Sequence, residues 1–152
     1  PVLREMSATG QKLSSWSQFH SFFKTRPRSP REDQNLSENA VFWSKLTRLN
    51  LNVLDLESTY QSFAEIVKRG DTLGPDVSLL KIWGTETFAQ LSELMVEVAG
   101  PQGAIIGKIP FQDAEIDVMS QFYNARPATI YGGSNEIQRN IIAKGVLKLP
   151  SK

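Results

Sequence analysis

The chain has 152 residues, 40% of them hydrophobic, and a formal net charge of +1, which together predict one domain with a modest core and no nucleic-acid partner. The absence of cysteine excludes disulfides, iron–sulfur sites and thiol nucleophiles, and it fits the cytoplasm or another reducing compartment. No apolar run approaches the roughly 20 residues of a membrane-spanning helix, and because the chain starts at Pro1 without an initiator methionine, we expect a piece of a longer protein.

Residues 1–36 are predicted to form a separate N-terminal segment, a helix followed by a basic, proline-containing loop. Apolar residues between Met6 and Phe23 recur at helical spacing. The helix should end before the stretch from Arg26 to Arg31, where two prolines interrupt helical hydrogen bonding. The arginines of this loop could bind phosphate groups, but a solvated loop is the preferred interpretation.

A long amphipathic helix is predicted from about Asn35 or Ser37 to Gly70. Glu38 follows Asn35 by three positions, as in a capping box, and a glycine often ends a helix. Apolar residues recur at alternating spacings of three and four, which is typical of a helix packed in a bundle. This stripe consists of Phe42, Leu46, Leu49, Val53, Leu56, Tyr60, Phe63 and Val67.

A second long helix is predicted from Pro75, which suits a first-turn position, to Gly100-Pro101. Gly84 in mid-helix costs about 1 kcal/mol relative to alanine, so we expect close approach of a neighbouring helix there. The predicted buried stripe consists of Val77, Leu80, Gly84, Phe88, Leu91, Met95 and Val98.

Two shorter helices are predicted in the last third of the chain, one opened by Asp113 and one starting near Ser134. Because no segment shows a sustained period of two, the predicted fold class is all-α, an antiparallel four-helix bundle with short connections. The apolar residues at helical spacing are Ile116, Met119, Phe122 and Tyr123 in the first helix, and Ile137, Ile141 and Ile142 in the second.

Several large apolar residues lie partly off the main stripes of the long helices. These residues should expose an apolar patch, which favours self-association into a dimer or larger assembly. They are Trp43, Leu79, Ile82 and Trp83.

Common catalytic and metal-binding patterns are missing from the sequence. His20 is the single histidine, and a Ser–His–Asp triad would need partners converging from separate elements. One histidine and no cysteine argue against a zinc site. Asp113, Glu115 and Asp117 cluster, but at spacings of two they do not share one helix face. No metal site is therefore predicted.

The segment from Ile130 to Ala143 is different, because a paired-glycine turn leads into a capped helix. Gly132 and Gly133 let the backbone come close to a ligand, and Ser134 suits an N-cap. Backbone donors and the positive end of the helix dipole suit an anion or the polar edge of a cofactor. An ordinary helix start without a ligand is the alternative, and the residue pattern by itself favours it.

The sequence of residues 126–143, Arg-Pro-Ala-Thr-Ile-Tyr-Gly-Gly-Ser-Asn-Glu-Ile-Gln-Arg-Asn-Ile-Ile-Ala, closely resembles the C-terminal signature of acyl-CoA dehydrogenases. The helical layout from about Ser37 and the turn at 100–103 resemble the C-terminal domain of that family. The resemblance implies that residues 37–152 form a helical bundle that packs against the flavin and builds the oligomer core. It also implies a complete FAD-dependent enzyme that oxidises the Cα–Cβ bond of an acyl-CoA and passes electrons to an acceptor.

Carried over position by position, the resemblance implies four cofactor-binding residues. Tyr131 and Gly133 match the turn that faces substrate and flavin. Ser134 matches a residue whose backbone and hydroxyl meet the flavin cofactor, and Glu136 matches a position that reaches the adenosine side. Gly132 departs from the family pattern, because many members have there the glutamate that removes the acyl α-proton. No catalytic residue is therefore assigned to this chain.

Two further features bear on the base and the cofactor. A minority branch of the family takes its base from an earlier helix, and Glu5 is the nearest carboxylate available. The family's cofactor-contacting Arg-x-x-Phe-Gly motif is replaced by the stretch from Arg26 to Arg31, and Glu97 stands where a glutamine is common. We therefore expect the chain alone to be inactive and without tightly bound FAD. A non-catalytic helical subunit for assembly is the alternative function.

Overall fold

The computed structural model describes residues 39–111 and 114–150, which are mainly helical. The predicted N-terminal helix and basic loop, with Glu5 and His20, lie outside the described residues. Within the described residues, no helix is both long enough and apolar enough to cross a lipid bilayer. The α-helices there are α1 (Ala40–Lys68), α2 (Ser78–Ala99), α3 (Val118–Ala128) and α4 (Asn135–Gly145).

Short elements flank helix α2. A 3₁₀-helix at Pro75–Val77 precedes it, in agreement with the first-turn position predicted for Pro75, and a second 3₁₀-helix at Gly100–Ala104 follows it. An antiparallel pair of strands, β1 (Ile109–Phe111) and β2 (Ala114–Ile116), then leads into α3. The predicted helical fold class is confirmed, with this short strand pair as an addition.

Helix α1 begins at a different residue from the one predicted. The cap is Asn39, whose side-chain Oδ1 accepts hydrogen bonds from the N–H groups of Val41 at 3.0 Å and Phe42 at 3.1 Å. An asparagine in this position satisfies first-turn donors that have no partner inside the helix. The described helix therefore begins one residue after Asn39, and the start predicted at Asn35 or Ser37 was placed too early.

The end of α1 agrees with the prediction. Gly70 has a φ of +83°, a left-handed conformation that glycine adopts readily. Its N–H donates to Val67 O at 3.0 Å, and the N–H of Asp71 donates to Ile66 O at 3.1 Å. This pair of bonds is a Schellman motif, which satisfies carbonyls at the end of the helix.

The apolar stripe of α1 is buried mainly in the first half of the helix. Its members Phe42, Leu49, Val53 and Leu56 are buried. Farther along the same stripe, Val67 is exposed. The periodicity therefore identified the helix correctly but overestimated the length of its buried face.

The described chain forms two compact units. One contains residues 39–46 and the described part of Ser92–Tyr123, and the other contains Thr47–Leu91 and residues 124–150. In the first unit, a small core joins the end of α2 to the strand pair and the start of α3. Its buried members are Ala99, Ile109 and Val118, with Met95, Val96 and Ile116 packed against them.

The strand pair corrects the prediction of a helix opened by Asp113. Ile116 lies in β2 and pairs with Ile109 of β1, so its helical spacing to later apolar residues is coincidental. The following helix is capped instead by Asp117, whose Oδ1 accepts from the Ser120 N–H at 2.9 Å. Each strand has only three residues, which is too short to produce a recognisable period of two in the sequence.

Two expectations about helix α2 are also corrected. Ile82, predicted to lie in an exposed patch, is buried, whereas Trp43 and Leu79 are exposed as expected. A β-carbon added to Gly84 would lie 3.8 Å from Leu56 Cδ2, which is an ordinary van der Waals distance. The neighbouring side chain therefore does not require a glycine there.

Candidate functional site: the glycine turn between α3 and α4

The candidate site is the turn of residues 129–134, which leaves the end of α3. The carbonyl oxygen of Pro127 accepts hydrogen bonds from the N–H groups of Ile130 at 2.9 Å and Tyr131 at 3.0 Å. The N–H of Thr129 donates to Arg126 O at 3.3 Å. These hydrogen bonds satisfy carbonyl oxygens at the end of α3 that have no partner inside the helix, and they fix the direction in which the backbone enters the turn.

Both glycines of the turn have left-handed backbone. Gly132 has a φ of +68° and Gly133 a φ of +90°, a region in which residues with a β-carbon are strained. Gln138 supports the turn from α4, because its side-chain Nε2 donates to Gly132 O at 3.2 Å. A β-carbon at Gly133 would lie 2.8 Å from the same Nε2 atom. The turn thus depends on glycine for its backbone conformation, and a β-carbon at Gly133 would also displace the Gln138 amide.

Ser134 caps α4 as predicted. Its Oγ accepts from the Ile137 N–H at 3.4 Å, and its carbonyl accepts from the Gln138 N–H at 2.9 Å. The N–H of Asn135 is used as well, because it donates across the turn to Thr129 O at 3.0 Å. Most first-turn donors of α4 therefore have partners inside the protein.

Glu136 provides a negative charge in the first turn of α4. Its own backbone N–H, together with the Ser134 hydroxyl, lowers the pKa of the Glu136 carboxyl below its ordinary value. An ionised carboxylate at this end of a helix is stabilised by the helix dipole. The Glu136 carboxylate already occupies the place of an anion here, and Ser134 Oγ and Thr129 O already accept from first-turn N–H groups. The turn therefore fits an uncharged polar edge of a cofactor better than a phosphate group.

A lysine from α2 holds the two ends of the turn together. The Lys81 ammonium donates to the carbonyl oxygen of Thr129 at 3.0 Å and to the side-chain oxygen of Asn135 at 2.7 Å. Asn135 itself is buried. Sequence reasoning did not identify Lys81 or Asn135, since Lys81 precedes Asn135 by 54 residues.

Further polar groups of α2 complete this contact. The Asn135 Nδ2 donates to Thr85 Oγ1 at 3.1 Å and to Glu86 Oε1 at 3.4 Å. Arg139, one helical turn after Asn135, forms a salt bridge with Glu86. We call the group Lys81, Thr85, Glu86, Asn135 and Arg139 the polar clamp.

The outer side of the turn and of α4 is apolar and exposed. Tyr131 has 47% of its surface accessible, and Ile130 and Ile137 are more exposed still. Gly132, Gly133 and Glu136 are also exposed, while Ser134 is half-buried. All four residues implied as cofactor contacts are thus at least partly accessible to solvent. The backbone between them is exposed as well, because Gly132 and Gly133 have no side chains to cover it.

The other candidate groups are used elsewhere in the structure. The carboxylate of Glu97 accepts from the Lys45 ammonium at 2.8 and 3.0 Å. Glu115 lies 3.6 Å from the Lys108 ammonium, and Asp113 is outside the described residues. Among the residues that the structure describes, no group of three or more histidine, cysteine or acidic side chains could hold a metal ion.

Comparison with known proteins gives consistent matches to one family. The family described as acyl-CoA dehydrogenase, C-terminal domain, matches residues 17–147. A 61-residue segment is 49% identical to acyl-CoA dehydrogenase IpdE1 of Mycobacterium tuberculosis, covering 40% of this chain and 14% of that protein. IpdE1 of Mycolicibacterium smegmatis is 45% identical over 62 residues, with the same shares. The matched part is thus a small fraction of these relatives.

Solved structures agree on the fold. The ChsE4-ChsE5 complex from Mycobacterium tuberculosis superposes with a TM-score of 0.73 at 22% identity, covering 90% of this chain and 35% of that one. A structure described as Tcur3481-Tcur3483 steroid ACAD gives a TM-score of 0.70 at 19% identity, covering 95% and 35%. These structures share the fold of this chain, and the match to the acyl-CoA dehydrogenase C-terminal domain over residues 17–147 shows that the chain belongs to that family.

Proposed function

We propose that this chain is the flavin-facing domain of an FAD-dependent acyl-CoA dehydrogenase, an oxidoreductase that oxidises the Cα–Cβ bond of an acyl-CoA. The observation that carries the proposal is the turn at Gly132 and Gly133. Two consecutive left-handed glycines leave exposed backbone at the start of a capped helix, and the family signature falls on this segment. A bound flavin would accept the hydride, while the protein binds and orients it.

Tyr131, Gly133, Ser134 and Glu136 are the residues that we assign to FAD. The absence of side chains on the glycines allows a planar ring to approach the backbone. The Ser134 hydroxyl lies at the N-cap of α4 and forms a hydrogen bond with the Glu136 carboxylate. It can instead bind a polar edge of the cofactor when that bond is exchanged. The Glu136 carboxylate disfavours a phosphate close by, which supports contact with an uncharged part of the cofactor.

The base that removes the acyl α-proton is not at the usual position in this proposal. Gly132 has no side chain and cannot accept a proton. We place the base on an earlier helix, N-terminal to α1. In this proposal the helical bundle domain spans residues 37–152.

The remaining domains or subunits of the enzyme, an electron acceptor and a second copy of the chain are the proposed partners. Exposed apolar residues on α1 support association, because Val41, Leu51 and Leu54 each have more than half of their surface accessible. We expect the chain alone to be inactive and without tightly bound FAD, since a site shared between domains is incomplete in one of them. The lack of cysteine supports the cytoplasm or another reducing compartment.

The alternative is a helical subunit that serves assembly without a cofactor, and the glycine at position 132 favours it. The test is to purify the complete protein or complex that contains this chain and to record its visible spectrum. A yellow complex whose flavin is bleached by an acyl-CoA supports the dehydrogenase. A colourless complex that forms normally and does not take up FAD supports the assembly subunit.

A further inference from the structure

The turn of residues 129–134 is closed at its base by contacts from both sides. The N–H of Asn135 donates to Thr129 O at 3.0 Å, which joins the residue before the turn to the residue after it. The Lys81 ammonium donates to that same carbonyl oxygen at 3.0 Å and to Asn135 Oδ1 at 2.7 Å. One side chain of α2 therefore contacts both ends of the turn.

The environment of this lysine favours a fixed position. Lys81 is half-buried, and its ammonium is bonded to a carbonyl and to the amide of a buried asparagine. A hydrogen bond to a charged group is about twice as strong as a bond between neutral groups.

The other members of the polar clamp, on α2 and α4, keep Lys81 and Asn135 in place. Thr85 and Glu86 contact the amide of Asn135, and Arg139 forms a salt bridge with Glu86. A shift of Lys81 or Asn135 would therefore break several polar contacts together. Gly132 and Gly133 lack side chains, so the tip of the turn is held by the Gln138 hydrogen bond to Gly132 O and by the contacts at its two ends.

We infer that Lys81 is a positioning residue, which sets the geometry of the Gly132–Gly133 turn by binding Thr129 O and Asn135 Oδ1, and through the turn controls FAD affinity. This inference rests on the proposed function, because it assigns a role to Lys81 at the same site. Lys81 is not assigned contact with the flavin or the acyl-CoA. Its effect passes through the backbone at the two ends of the turn.

The experiment compares variants of the complete FAD-containing protein. Lys81→Met removes the charge and the donors but keeps a long apolar side chain, and Lys81→Arg keeps both charge and donors. Lys68→Met is the control, because the Lys68 ammonium also forms an ion pair, with the Glu65 carboxylate at 2.7 Å, without contacting the turn. FAD dissociation constants are measured by flavin fluorescence, and amide hydrogen exchange is measured over residues 129–135.

We expect Lys81→Met to raise the FAD dissociation constant about tenfold or more, the scale of one charge-assisted hydrogen bond. The Asn135 amide should exchange faster in this variant. Lys81→Arg should restore most of the affinity, and Lys68→Met should leave affinity and exchange unchanged. An unchanged FAD dissociation constant in Lys81→Met would overturn the inference.

Two other outcomes are decisive. If the wild-type complex takes up no FAD, the proposed function fails, and the clamp is judged by hydrogen exchange alone: faster exchange at the turn in Lys81→Met supports it, and unchanged exchange contradicts it. If Lys81→Met does not fold, Lys81→Gln replaces it, since glutamine is polar but too short to reach both acceptors. The same affinity and exchange criteria then apply.

Discussion

Gly145 at the end of α4 packs directly on Pro75, because a β-carbon at Gly145 would lie 2.7 Å from both Cβ and Cγ of the proline ring. The ring is rigid, so it cannot move aside as the end of a flexible side chain could. We predict that Gly145→Ala lowers the free energy of unfolding by about 1–3 kcal/mol, the usual range for overpacking. Urea denaturation followed by circular dichroism measures it, and wild-type stability in the variant would contradict this packing.

Gly84 provides the opposite case on α2. A β-carbon there would meet Leu56 Cδ2 at 3.8 Å, which is favourable contact without displacement. Since glycine costs about 1 kcal/mol relative to alanine inside a helix, Gly84→Ala should raise the free energy of unfolding by up to that amount. The same urea series measures the change. A loss of stability would contradict this prediction.

Gly132→Glu tests the site at the position of the usual family base. Glutamate at a φ of +68° is strained, at a cost of about 1–2 kcal/mol. Because Gly132 is exposed, we predict that the variant of the complete enzyme folds with this modest loss and still binds FAD. Thermal unfolding and flavin absorbance measure the two effects, and an apoprotein would contradict the prediction.

A matched variant at the next residue should be more harmful. Gly133→Ala combines a φ of +90° with a β-carbon 2.8 Å from Gln138 Nε2. Gln138 must then move, and Gly132 O loses its hydrogen bond. We expect a larger loss of stability and weaker FAD binding than in Gly132→Glu, and the reverse order would contradict the role given to Gln138.

The same glutamate can locate the missing base. Replacing the true upstream carboxylate by its amide should lower turnover by about 100-fold or more, the scale of general-base catalysis. Gly132→Glu in that background should restore part of the activity if the turn has the family geometry. Steady-state oxidation of acyl-CoA by the single and double variants is the measurement. Full activity after all carboxylates of the earlier helix are replaced would contradict a relocated base.

Asp117 makes the stability of the chain depend on pH. The Ser120 hydroxyl and then the Ser120 backbone N–H lower the pKa of the Asp117 carboxyl below 3.8 in the folded protein. A lowered folded-state pKa adds stability above the unfolded value, and this contribution is lost as pH falls through the folded value. We predict that Asp117→Asn melts at a lower temperature than wild type at pH 7. The difference should shrink below about pH 4, and a constant difference down to pH 2 would contradict the prediction.

Local patterns of the sequence were sufficient for most of the helices and for the family. The three- and four-residue spacing predicts α1 and α2, and Gly70 and Ser134 act as the end and the cap that their residue types suggest. These features depend on residues only a few positions apart, so the sequence alone is sufficient to predict them. The signature around Gly132 identifies the family for the same reason, as a contiguous run.

The tertiary structure decided which side of α4 is buried. Periodicity draws attention to Ile137 and Ile141, yet both are exposed, and the buried residues of the helix are Asn135 and Gln138. Those two polar residues lie three positions apart and, with Ile142 four positions later, share a helix face. Burial of the polar pair is possible because α2 and the turn supply partners for their amides.

The strand pair depends on pairing across a short hairpin, and the polar clamp depends on contacts between residues far apart in the chain. Ile116 has helical spacing to its successors, and only its pairing with Ile109 makes it a strand residue. Lys81 reads as a charged residue on the outer face of a helix. Its proposed function at the turn depends on folding, which brings Thr129 and Asn135 within hydrogen-bonding distance of the Lys81 ammonium. The two oxygen atoms of these residues offset the loss of water around the charge.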